Sequence, residues 1–329
     1  MILFVFKKLL QDNFITEEQF RCIERDKLKP LSVHWELRTL LYLGILLLTT
    51  AMGIFVYKNI DTIGHQVIII LIALACAACF FYCFKKSKGY SGNKVESPGI
   101  LFDYILLSGC LLLLIFIGYI QFEYHLFGNR WGLSVFIPMV ILFFLAYYFD
   151  HLGVLSLAIT NLAAWLGITV TPVQILDENN FGDVQIIYTG LILGAGLTTI
   201  SYMITYKNIK AHFAFTYKNF GLNILFISLL AALFYFENIY MIWFVVITAA
   251  SSFFFRNAIK EKSFYFLVIT VLYAYTAVSY VVINLLSTGS GKAGIYIGIV
   301  YFIASGIALI RFLILYNKKL KKDESIQQQ

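Results

Sequence analysis

Beyond residue 38 the chain alternates between long apolar runs and short polar breaks. The runs cover 39–57, 65–84, 100–122, 131–149, 151–170, 184–206, 213–236, 239–255, 264–286 and 294–316. Most are close to the roughly 20 apolar residues that carry an α-helix across a bilayer core. The pattern predicts an all-α, polytopic integral membrane protein with about ten transmembrane helices. Only Asp150-His151 separates the fourth run from the fifth, so a tight helical hairpin is expected there.

The placement of charge tests that count independently, because Lys and Arg collect on the cytoplasmic loops of membrane proteins. One set of alternate loops holds Lys85, Lys86, Lys88 and Lys94, then Lys207 and Lys210, then Arg256, Lys260 and Lys262, and finally Lys318, Lys319, Lys321 and Lys322. The other set holds Lys58, Arg130 and Lys292 against Asp61, Glu123, Asp177, Glu178, Asp183 and Glu237. This split predicts a multi-pass protein with both termini cytoplasmic. Ten spans divide into five and five, so 184–316 enters the membrane from the opposite side to 39–170, the topology of an inverted repeat. Residue-level similarity between the halves is not evident.

The first 37 residues read differently. Met1–Phe6 is apolar, but Lys7 and Lys8 follow too soon for the core of a signal peptide. Thr16-Glu17-Glu18-Gln19 fits a capping box, in which the Thr hydroxyl and Gln amide satisfy orphan N–H groups at a helix start. Phe20, Cys22 and Ile23 then give an apolar side, and Lys29-Pro30 ends the segment. The expected organisation is a cytoplasmic N-terminal helical hairpin over 1–37, a ten-helix membrane domain over 38–316 and a basic, polar cytoplasmic tail over 317–329.

Composition removes whole classes of function. Of the 329 residues 60% are hydrophobic and 13% charged, which leaves no room for a water-soluble catalytic domain. The net charge of +7 comes largely from the basic loops, so the expected partners are membrane lipids, through anionic headgroups on the cytoplasmic face, rather than nucleic acid. Of the five cysteines, Cys76, Cys79, Cys83 and Cys110 lie inside apolar runs and Cys22 in the N-terminal segment, which predicts free, packed thiols. No metal or cofactor is expected.

Two groups of polar residues stand out inside the apolar runs. Asn161, Trp165, Thr189, Thr198 and Asn223 fall toward the middle of spans five to seven, where each polar side chain needs a hydrogen-bond partner. They are the candidate substrate-binding residues of a midplane polar pocket; the alternative is interhelical glue, since Gly190-x-x-x-Gly194 has the spacing that lets helices pack closely. Gly294-x-x-x-Gly298, with Ser305 and Gly306 beyond it, carries the glue reading more strongly. Asp103, Asp150 and His151 lie at one membrane face and are candidates for a titratable cluster, provided that Asp103 approaches His151 in space. Their alternatives are interfacial anchoring and the polarity of a tight turn. Tyr273 and Tyr275 lie deep in span nine and need hydroxyl partners. Thr288-Gly289-Ser290-Gly291-Lys292-Ala293 lacks the first Gly, the final Ser or Thr and the preceding strand of a phosphate-binding loop. Nothing assembles as a catalytic centre, so no enzyme is expected.

Ile15-Thr16-Glu17-Glu18-Gln19, then Leu37-Arg38-Thr39-Leu40-Leu41-Tyr42-Leu43-Gly44, then Gly53-Ile54-Phe55-Val56-Tyr57-Lys58-Asn59-Ile60 resemble the predicted bacterial membrane proteins grouped as domain-of-unknown-function family 2157. The family often has Asn-Trp where Asn59-Ile60 stand. Tyr147–Val154 and Asn161–Trp165 are similar to the Bacteroidota branch of that family. The resemblance implies a bacterial inner-membrane protein and brings no assigned activity. The leading expectation is binding or transport of a small solute or lipid through the midplane site, the substrate being unknown. The alternative is a non-catalytic scaffold or accessory subunit that docks a cytoplasmic protein partner through the N-terminal hairpin.

Overall fold

The computed structural model describes residues 16, 34–87, 89–128, 130–170, 184–289 and 291–327, and the long elements among them are all α-helical. In chain order they are α1 His34–Ile63, α2 His65–Lys86, α3 Ile100–Tyr124, α4 Trp131–Phe149, α5 Leu152–Val170, α6 Val184–Lys207, α7 Phe213–Tyr235, α8 Tyr240–Lys260, α9 Phe264–Gly289 and α10 Gly291–Gln327. One 3-10 turn, Glu237–Ile239, leads into α8. Each apolar run of the sequence has become one helix. The largest departures are at α1 and α10, which outrun their apolar segments, α10 continuing through the Lys-rich stretch after Tyr316. The hairpin expected over 1–37 lies outside the described residues, apart from Thr16 and the start of α1.

Eight of these helices are long and apolar enough to cross a membrane. α1 and α5 carry shorter apolar stretches, Thr39–Phe55 and Leu152–Gly167. α5 has 19 residues, as α4 does, and at 1.5 Å per residue is about 28 Å long, close to the thickness of a bilayer core. Large apolar side chains such as Leu47, Phe55, Ile192, Ile303 and Leu315 point outward, the arrangement of a helix bundle solvated by lipid rather than water.

Consecutive helices pair as α2/α3, α4/α5, α6/α7 and α8/α9, and α6/α7 is the most extensive contact. Small residues explain it. A Cβ added to Gly194 would stand 2.5 Å from the Leu225 backbone nitrogen, and one added to Gly221 would stand 2.7 Å from that of Thr198. The two backbones touch, so the glue reading holds for Gly190 and Gly194. One core cluster, including Leu106, Cys110, Leu142, Leu155, Leu197 and Phe213, lies on one side of this pair. A second, including Phe226, Leu233, Ile247, Phe254 and Leu267, lies on the other. α1 rests lightly on α2 and α3, and α10 leans on α9. Packing does not repeat between the five-helix halves, because α1 and α2, the counterparts of α6 and α7, barely meet.

Gly298 and Gly306 on α10 differ. A Cβ at Gly298 or Gly306 would meet nothing within 4 Å. Large side chains reach between the helices instead: Tyr275 pairs with Ser305 at 3.0 Å and Tyr301 with Ser279 at 3.2 Å. The described polar contacts between α9 and α10 thus run through tyrosine hydroxyls.

Candidate functional site

The turn between α4 and α5 organises the end of the bundle that carries the basic loops. Asp150 adopts a left-handed conformation (φ 58°), which lets the chain reverse within two residues. Its buried carboxylate accepts from Lys210 Nζ at 2.8 Å and His212 Nε2 at 2.8 Å on Oδ1, and from the Val95 amide at 2.6 Å on Oδ2. The Lys210 side chain is fully buried, its ammonium lies 5.3 Å from the Tyr90 ring centre, and its backbone amide donates to the Gly92 carbonyl. Residues 89–99 are thereby sewn to both the α4–α5 and the α6–α7 turns. A buried ion pair of this kind holds when its remaining hydrogen-bonding positions are filled, as they are here.

Asp103 sits beside this clamp. It accepts from the Ser97 hydroxyl at 2.5 Å and faces His151 Nε2 at 3.8 Å. His151 caps α5, its Nδ1 accepting from the Val154 amide at 3.1 Å, which leaves the ring proton on Nε2, toward Asp103. Asp103 and His151 are brought together, whereas Asp150 turns to Lys210 and His212. Those two partners, sixty or more residues distant, read in the sequence only as polar and basic loop residues.

The five midplane candidates are placed apart. Asn161 is half-buried on α5, and Trp165 packs on Phe136 with ring centres 5.1 Å apart. The Thr189 and Thr198 hydroxyls donate to carbonyls of their own helix, Gln185 and Ala195. Asn223 belongs to a ladder between α7 and α9: its amide donates to Asn219 and its Oδ1 accepts from the Tyr273 hydroxyl at 2.9 Å. Tyr265 adds a bond to Asn219. The hydroxyl partners expected for Tyr273 and Tyr275 are therefore Asn223 and Ser305. None of the five midplane residues lines either cavity described next.

Two cavities lie between helices. The larger, about 740 Å³, lies between α8, α9 and α10. On α8 it presents Thr248, Ser251, Ser252 and Arg256, the first, third and fourth of these one helical turn apart. Thr248 and Ser252 bond to carbonyls of their own helix. Ser251 is 8% exposed, and its buried hydroxyl has no hydrogen-bond partner among the described residues. Arg256 marks the mouth at the basic end, and the remaining wall is mostly apolar, including Val271, Leu309 and Phe312. The second cavity, about 650 Å³, lies between α1, α2 and α3, with His65, Tyr119 and Glu123 at the end of α2 remote from Lys85 and Lys86. The four described cysteines are free; Cys76 donates to the Gly109 carbonyl and Cys83 and Cys110 are core residues.

Apolar helices in lipid-sized lengths, charge confined to their ends and core glycines at helix contacts define a polytopic α-helical membrane protein. Residues 7–155 match the model of the family described as predicted membrane protein (DUF2157); the match ends within α5. It contains the α1–α3 cavity and Asp103, Asp150 and His151, while Lys210 and the α8–α10 groove lie beyond it. No curated protein and no solved structure matches the chain.

Proposed function

We propose that this protein binds a membrane-dissolved amphiphile with an anionic head, taken in sideways by the α8–α10 groove. The single observation that carries the reading is the Ser251 hydroxyl, buried and unpaired on the wall of a 740 Å³ cavity. A buried hydroxyl without a partner costs about 1–3 kcal/mol, a cost that a ligand acceptor removes. Arg256 stands five residues further along α8, about 7.5 Å in axial rise. That offset is comparable to the distance from a glycerophospholipid's phosphate to its acyl ester carbonyls. In this arrangement Arg256 takes the phosphate, the Ser251 hydroxyl turns out of its buried position to donate to an ester carbonyl, and the acyl chain lies along Val271 and Leu309. The volume falls within the roughly 300–1,000 Å³ usual for small-molecule sites.

The reading is one of binding rather than passage, because the α6 and α7 backbones close on each other beside Thr198 and Leu225. It assigns the basic end, with both termini, to the cytoplasmic side of the bacterial inner membrane, on the strength of the Lys and Arg distribution. A phosphatidylglycerol carrying a photoreactive acyl chain, reconstituted with the full-length protein, tests it by peptide mapping. Labelling is expected on α8, α9 and α10, competed by unlabelled phosphatidylglycerol but not by phosphatidylcholine, and reduced in Arg256→Gln. Even labelling of all lipid-facing helices, unchanged by Arg256→Gln, would contradict it.

A further inference from the structure

The cavity between α1, α2 and α3 carries the opposite charge, and its polar end lies at the opposite end of the bundle. Three side chains form its polar end: His65 Nδ1 lies 2.8 Å from the Tyr119 hydroxyl and 3.3 Å from Glu123 Oε2. The Glu123 and His65 side chains are 29% and 35% exposed, so the carboxylate is reachable from the cavity and from the membrane surface. Among the described residues no Lys or Arg pairs with Glu123, and its neighbour there is the His65 imidazole. Below this trio the walls are apolar, with Leu48 and Met52 from α1, Ile72 from α2, and Leu112 and Ile115 from α3. Small residues leave the space open: Ala75 lines the cavity, and a Cβ on Gly53 would meet nothing within 4 Å. From Glu123 down to Ser108 is fifteen residues of α3, about 22 Å of depth, the length of a fatty-acyl chain.

We infer that this cavity is a second binding site, for a lipophilic organic cation: an ammonium head against Glu123 and a hydrocarbon tail running down between α1 and α3. A carboxylate at the rim of an apolar slot selects a positive head, since an anionic head would meet a like charge there. The Tyr119 and Phe122 rings beside it add the aromatic faces on which ammonium groups rest. α1 is the natural side of entry, because it touches α2 and α3 only lightly. The site does not depend on the α8–α10 reading, with which it shares no residue.

The test uses a diazirine-bearing alkyltrimethylammonium and, as control, the uncharged alcohol of the same chain. Both are photolysed with the full-length protein in phosphatidylcholine nanodiscs, and the labelled peptides are mapped. The cation is expected to label α1 and α3 peptides about fivefold or more above the alcohol. Glu123→Gln should bring the two probes level, while Arg256→Gln leaves the pattern unchanged. Equal labelling by both probes in the wild-type protein, or an undiminished cation preference in Glu123→Gln, would overturn the site. Should Glu123→Gln fail to fold, Ala75→Phe fills the slot from α2 with the trio intact. Loss of labelling in that variant supports the site, and retention overturns it.

Discussion

Gly194→Ala is the smallest change that tests the α6/α7 contact. The added methyl would sit 2.5 Å from the Leu225 nitrogen, 2.7 Å from its Cα and 2.8 Å from its Cβ, all inside normal contact distance. Main-chain atoms cannot swing aside as a side chain does, so the helices must separate. Overpacking of this kind costs about 1–3 kcal/mol, and a backbone obstacle belongs at the upper end. Ala is intrinsically better in a helix than Gly by roughly 0.5–1 kcal/mol, which leaves a net loss of about 2 kcal/mol. Gly196, two residues on, supplies the internal control: its Cβ would meet nothing within 4 Å, so Gly196→Ala keeps only the propensity gain. Cys76, Cys83 and Cys110 are buried free thiols and report opening of the bundle to a thiol-reactive fluorescent dye during a thermal ramp. Gly194→Ala is expected to melt below the wild-type protein and Gly196→Ala at or above it. Gly194→Ala melting at or above wild type would refute the backbone contact.

Four other substitutions probe the remaining features. Asp150→Ala strands the buried Lys210 ammonium and should cost about 3–5 kcal/mol, whereas Lys210→Met leaves the carboxylate its His212 and Val95 partners and should cost less; limited trypsin digestion at Lys94 should be faster in Asp150→Ala, and unchanged cleavage would rule out the clamp on 89–99. Ser251→Ala removes an unpaired buried hydroxyl, so the delipidated variant should be more stable by up to about 1–3 kcal/mol, an advantage that shrinks when phosphatidylglycerol is returned; a destabilised delipidated variant would mean that the hydroxyl has a partner. Gly298→Ala should melt at or above wild type, because nothing lies within 4 Å of the new methyl, and a lower melting temperature would indicate a packed α10 face.

The fold was legible because lipid imposes one rule on every span: a run of apolar residues long enough to cross must close its own backbone hydrogen bonds as a helix. The ten runs accordingly became α1 to α10, and Asp150-His151 was readable as a turn because the apolar stretch around it, 131–170, is about twice the length of one crossing and these two polar residues fall at its middle. The contacts between helices were less legible. Gly190-x-x-x-Gly194 and Gly294-x-x-x-Gly298 look alike in sequence, yet the first meets Ser228 and Leu225 while Gly298 meets nothing. What separates them is the neighbour: Gly221 on α7 answers Gly194, whereas no α9 atom comes within 4 Å of a Cβ at Gly298. The partners of Asp150 were hidden for a similar reason. Lys210 carries the same loop-charge signal as Lys207, and only the closure of α6 on α7 brings it to the carboxylate. Ser251 was one more hydroxyl on α8 until the gap between α8 and α10 left it without an acceptor.

Side-entry binding at α8–α10 with a closed centre is tested most directly by alkylation of single cysteines in a background whose five native cysteines are replaced. Asn161→Cys, Asn223→Cys and Ser252→Cys are each reacted in vesicles with a membrane-soluble maleimide, with and without phosphatidylglycerol. The account predicts fast labelling at Ser252→Cys, slowed by phosphatidylglycerol, and little labelling at Asn223→Cys, which sits in the hydrogen-bonded ladder to Tyr273. Rapid labelling of Asn161→Cys and Asn223→Cys by the same maleimide, with Ser252→Cys indifferent to the lipid, would contradict it and return the binding site to the middle of the bundle.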